Sequence, residues 1–158
     1  MPDPHRAVLD GYRRGLGDAP ATPAHITLLP PTDVDDATWS SLPGALEEVA
    51  ARYGPFGVRL RGSGSFRPVS PVVFVVVVEG ISGCERLEAD LRTSMPAAQR
   101  RFPYHPHVTI AHDVDEADLD RALADHHDFE AWFEVSSFTL YREHRDGWRA
   151  VREFTLSG

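Results

Sequence analysis

At 158 residues, with 42% hydrophobic and 25% charged content, the chain has the length and composition of one compact folded domain rather than a disordered or membrane-embedded segment. A formal net charge of −8 argues against gripping long nucleic acid through its phosphates, but leaves room for a nucleotide or an RNA end in a local pocket. The one cysteine, Cys84, excludes an internal disulfide framework and a multi-cysteine zinc site. The longest apolar run, 72–78, is too short to span a bilayer, and no secretory signal is visible, so a cytoplasmic monomer is expected.

In chain order, a short strand or turn is expected at 7–9, a helical piece at 9–16 and a loop at 17–24. Pro23 and the Pro30-Pro31 pair bracket a strand over 25–29. Thr38 or Asp36 caps a helix running to about residue 53, with Trp39, Leu42, Leu46, Val49 and Ala50 at helical spacing, and Gly54-Pro55 ends it. Phe56, Val58 and Leu60 alternate with arginines as in a half-buried strand, and Gly62-Ser63-Gly64 marks a bend or bulge. The β-branched run at 72–78 reads as a central strand covered on both faces. Ser82 caps a helix through Leu87 and Leu91, closed by Pro96, and a strand follows from 107. A helix over 115–126 carries Leu119, Ala122 and Leu123, with acids early as the helix dipole favours. One strand at 132–142 and another at 147–156 close the chain, joined by a turn at 144–147 whose Asp-Gly pair signals a hairpin.

Two strings carry the chemistry: His25-Ile26-Thr27-Leu28 and His107-Val108-Thr109-Ile110. In an extended strand residues i and i+2 share a face, so each string offers an imidazole and a hydroxyl to one surface while its aliphatic residues anchor in a core. With eight histidines and eight threonines in the chain, roughly 0.4 His-x-Thr tripeptides arise by chance, and about 0.015 with an aliphatic residue at both other positions. Two are present. They stand 82 residues apart, about half the chain, which fits two related lobes sharing a groove.

Around these strings the chain resembles the 2H phosphoesterases, in particular their 2′-5′ RNA ligase and cyclic phosphodiesterase branch. The segment from Pro23 to Pro30 is similar to that family's first motif, Tyr104-His105-Pro106-His107-Val108-Thr109-Ile110-Ala111-His112 to its second, and the stretch from Phe138 to Leu156 to its closing hairpin. The resemblance implies an α+β fold over 1–158, a single bilobal domain of two pseudo-symmetric lobes with antiparallel sheets around a central cleft. It implies that His25, Thr27, His107 and Thr109 line that cleft, and that neither metal nor cofactor is needed. Some RNA-processing members carry an arginine where this chain has His112, which strand parity sets on the face opposite His107 unless the strand ends near Ala111.

The implied reaction is cleavage of a 2′,3′-cyclic phosphate or 2′-5′ linkage in a nucleotide or RNA end. One imidazole activates the nucleophile and the other protonates the departing ribose oxygen. His107 is assigned as base and His25 as acid, with the reverse also open; Thr27 and Thr109 donate to the non-bridging oxygens. Tyr104, Phe66, His112, Tyr141 and Arg142 are the candidate substrate contacts, each open to a packing or surface role. Two other readings stand beside this one. The first is a nucleotide-binding module without turnover; the second is a metal-dependent hydrolase using His105 and His107 with His25 or His112.

Overall fold

The computed structural model describes residues 1–16, 22–98, 102–145 and 147–158. It divides into two compact units that interleave along the chain. The first comprises Met1–Ile26, Gly57–Glu79 and His107–Phe133, and the second Thr27–Phe56, Gly80–Pro106 and Glu134–Gly158.

The first unit is a four-stranded antiparallel sheet with helices on one face. Its strands are β1 (Phe56–Ser65), β2 (Val72–Glu79), β3 (His107–His112) and β4 (Glu130–Val135), ordered β3-β2-β1-β4. Helices α1 (His5–Gly15) and α4 (Glu116–Asp125), whose Leu9 and Leu119 are fully buried, pack against β3, and α4 also against β2, strands in which Val73, Val75, Val108 and Ile110 are likewise buried. Those residues come from strands whose alternate side chains point the other way, so helix packing on one face fixes what the opposite face displays. The valine run is central, with β1 and β3 on either side, as its lack of alternation predicts.

The second unit contains helices α2 (Asp36–Ala50) and α3 (Ile81–Ser94) and the hairpin β5 (Ser137–His144) and β6 (Gly147–Thr155). Its core joins Leu42, Leu46 and Val49 of α2, Leu87 and Leu91 of α3, and Phe154 and Leu156. Phe138 and Phe154 stack across the hairpin with ring centroids 5.2 Å apart. The α+β class expected from the sequence is therefore present, with antiparallel sheets in both units.

Several local expectations are corrected. The segment at 7–9 is helical, because α1 already begins at His5. Asp35, not Asp36 or Thr38, caps α2, its carboxylate accepting from the Thr38 amide at 2.7 Å. Gly80, at φ +87°, precedes α3 where Ser82 was expected to cap; a left-handed turn there favours glycine. The single strand expected over 132–142 is two, broken at Ser136 and assigned to different sheets. Ala131 and Phe133 belong to the first unit's core, while Phe138 and Leu140 pack into the second's. The expected loop at 17–24 lies outside the described residues over 17–21, as does Asp146 of the expected turn.

Candidate active site

The second His-x-Thr string forms β3 as expected. Val108 and Ile110 are fully buried, and His107 and Thr109 are half-buried on the other face. In β2 the partners of Val108, His107 and Thr109 are Val75, Val76 and Phe74. Directly opposed residues in a sheet share a face, so Phe74 and Val76 line the same surface as His107 and Thr109.

The first string is not a strand in a ladder. Its pairing is an isolated antiparallel bridge, Ile26 to Val108. Prolines at 23, 30 and 31 withhold amide donors on both sides of it, which explains the missing ladder. The bridge nevertheless sets the register. With Ile26 against Val108, an extended course on either side would carry His25 opposite Thr109 and diagonal to His107, on the face away from the helices. His25, His107 and Thr109 all belong to the first unit. Thr27, one residue beyond the bridge, opens the second unit.

Each imidazole is held by its surroundings. His25 Nδ1 lies 2.8 Å from the Pro23 carbonyl oxygen, which can only accept, so Nδ1 carries a hydrogen and proton exchange falls to Nε2. Part of His25 meets solvent, yet desolvation by the surrounding protein pulls its pKa below the ordinary imidazole value. The Pro23 carbonyl opposes that shift, and the positive charge of Arg13 adds to it. His107 sits against two aromatic rings: Phe66 edge-on at 4.9 Å and Phe74 tilted at 5.1 Å, themselves 4.3 Å apart. Gly64 makes this cluster possible, since a Cβ there would come within 2.9 Å of the Phe74 ring.

The remaining candidates separate. His112 was expected to face away from His107, but a bulge between Val73 and Phe74 resets the parity of β3. Val72, which shares a face with Phe74, is the partner of His112, so His112 returns to the His107 face. It is exposed and 3.3 Å from the Asp113 carboxylate. Phe66 packs on Phe74 and His107 as described. In the second unit the Tyr104 hydroxyl donates to the Thr27 carbonyl at 3.2 Å, steadying the backbone of that threonine. Arg142 lies over the Trp39 ring, 4.7 Å from its centroid, on the hairpin face that also buries Phe138 and Leu140. Tyr141 alternates to the opposite face, alongside Thr139.

Sequence reasoning missed Phe74, Asp10 and Arg13. A lone aromatic within a run of valines was the available signal for Phe74. For Asp10 and Arg13 there was none beyond their helical spacing. Many arginines are neutralised by carboxylates: Arg67 by Glu116 and Asp120 at 2.7 and 2.8 Å, Arg52 by Asp90, Arg152 by Glu47. Among the described residues no group of three or more His, Cys, Asp or Glu side chains is placed to hold a metal ion, contrary to the expectation of the metal-hydrolase reading. No helix among them is long and apolar enough to cross a membrane.

The fold recurs in solved structures. TT0787 of Thermus thermophilus superposes with a TM-score of 0.72 at 20% identity, covering 100% of this chain and 94% of its own. E. coli LigT complexed with 3′-AMP gives 0.66 at 24% identity, covering 85% of this chain and 78% of its own. In sequence, a protein of Geobacillus kaustophilus provisionally named a phosphoesterase is 27% identical over 86% of this chain and 80% of its own length. A similarly named protein of Bacillus mycoides is 28% identical over 73% of this chain, which spans only 59% of that relative. The family model described as the 2′-5′ RNA ligase superfamily matches residues 1–147, and the chain belongs to that superfamily, a branch of the 2H phosphoesterases.

Proposed function

We propose that this chain is a metal-independent phosphodiesterase that opens 2′,3′-cyclic phosphates or 2′-5′ linkages in small nucleotides or RNA ends by two-histidine acid–base catalysis. The observation that carries the reading is the Ile26–Val108 bridge, which brings the two His-x-Thr strings side by side, with His107 and Thr109 on one face of β3. The provisional phosphoesterase names of its relatives support the reaction class. LigT, crystallised with 3′-AMP, ATP and NADP+, supports a substrate of nucleotide size.

In the reaction, a neutral imidazole takes a proton from water as its oxygen attacks phosphorus. The second imidazole, protonated, gives its proton to the ribose oxygen as the P–O bond breaks. Charge accumulates meanwhile on the non-bridging oxygens, where the hydroxyls of Thr109 and Thr27 donate hydrogen bonds. The lowered pKa of His25 favours it as the base and His107 as the acid, the reverse of the assignment expected from sequence. Tyr141 and His112 are the substrate contacts of this reading; Tyr104 acts through Thr27, and the Arg142 guanidinium is engaged by Trp39. Residues 1–158 work as one bilobal, monomeric, cytoplasmic domain.

The test is hydrolysis of 2′,3′-cyclic nucleotides in the presence of EDTA. General acid–base catalysis contributes about 10²–10⁴-fold per group, so His25→Ala and His107→Ala are each expected to lose at least about 100-fold in kcat. Wild-type rates in either variant would overturn the proposal. The role of His25 as base is tested by the acidic limb of the kcat/KM profile, which should fall below the ordinary imidazole range and disappear from the residual activity of His25→Ala.

A further inference from the structure

The isolated bridge leaves a structural question, because one backbone pairing does not fix the path of the residues before it. What holds that path is helix α1. The Asp10 carboxylate accepts from the Ala24 amide at 2.6 Å, and the Arg13 guanidinium donates to the Thr22 carbonyl at 3.1 Å. The two side chains lie 3.7 Å apart as an ion pair, both largely withdrawn from solvent, and Arg13 is among the few buried charged residues. One turn of helix thus grips the chain on either side of Pro23, whose carbonyl in turn accepts from His25 Nδ1. At the start of α1 a second charged pair, Arg6 with Asp3, is exposed to solvent.

We infer that Asp10 and Arg13 are positioning residues for His25, a buried pair on α1 that replaces the missing strand ladder and sets the direction of the imidazole. The inference rests on the proposed participation of His25 in the acid–base step. Its physical basis is the asymmetry of buried polar contacts. Removing the Asp10 carboxylate takes the acceptor from the Ala24 amide and a counter-charge from the Arg13 guanidinium, in a place water reaches poorly. The segment then relaxes, and His25 moves with it. Misplacement of a catalytic group by about 1 Å can cost about 100-fold in rate.

The experiment is steady-state kinetics on a 2′,3′-cyclic nucleotide with Asp10→Ala, Asp10→Asn, Arg13→Lys and His25→Ala, together with Asp10→Ala/His25→Ala. Asp10→Ala is expected to lose about 10-fold or more in kcat with KM changed less than about twofold. Asp10→Asn keeps an amide oxygen for the Ala24 amide and should recover most of that loss. Arg13→Lys, which keeps the charge but loses the planar fork, should fall between. In the His25→Ala background, Asp10→Ala should cost no further rate, because the group it positions is gone. The His25 Hε1–Nε2 NMR cross-peak should move in Asp10→Ala and stay in place in Asp10→Asn. A purely structural pair would lower the melting temperature while leaving kcat of the folded protein and that cross-peak unchanged, which would overturn the inference. If Asp10→Ala does not fold, the same criteria apply to Arg13→Lys. Wild-type activity in His25→Ala would instead refute the underlying function, and the cross-peak would still judge the positioning.

Discussion

Gly64→Ala probes the aromatic support of His107 with the smallest possible addition. The new Cβ would lie 2.9 Å from two ring atoms of Phe74 and 3.5 Å from a Val76 methyl. Ordinary carbon–carbon contact is about 3.5–4.0 Å, so the ring must retreat by about 0.5 Å or more. It has little room to do so, with Phe66 at 4.3 Å and His107 at 5.1 Å between centroids. Overpacking of this kind costs about 1–3 kcal/mol. For a chain of this length that lowers the melting temperature by about 2–4 °C per kcal/mol. Displacement passed on to His107 should reduce kcat for cyclic-nucleotide hydrolysis by about 10-fold with KM nearly unchanged. Gly44→Ala is the matched control: it lies within α2 with nothing within 4 Å of its added Cβ. Replacing a mid-helix glycine there should stabilise by about 0.4–1 kcal/mol. Urea denaturation and steady-state kinetics on both variants measure these effects. If Gly64→Ala matched wild type in stability and in kcat, Phe74 would not be wedged against His107 and the clamp would be discarded.

Other outcomes follow from the same geometry. Because folded His25 has a lowered pKa, the unfolded chain binds more protons between that value and the ordinary one of about 6.5. Its contribution to stability is therefore lost as pH falls through that window, and His25→Ala should flatten the pH dependence of the urea midpoint there. Burial pushes the Cys84 thiol up to about 11, so Ellman's reagent should find no reactive thiol in the native protein and one after denaturation. Arg142→Ala removes a cation–π contact with Trp39; a stability loss of about 0.5–1 kcal/mol is expected, with KM for nucleotide unchanged. A several-fold rise in KM would return Arg142 to the substrate contacts.

The sequence alone determined the elements whose periodicity is unambiguous: the valine strand, helices α2 and α4, and the alternation of β3 that buries Val108 and Ile110 and leaves His107 and Thr109 on the other face. It also determined the family, because paired His-x-Thr strings are a pattern of composition and spacing. Register, by contrast, is a property of pairing between distant segments. The bulge that returns His112 to the His107 face depends on what β3 meets in β2, and the isolated bridge beside Val108 depends on prolines denying the first string a ladder. Asp10 and Arg13 reach residues 22–24 only because α1 packs beside the sheet. A local pattern records which way a side chain points from its own backbone; which side chains meet is decided by packing, and only the tertiary structure contains that.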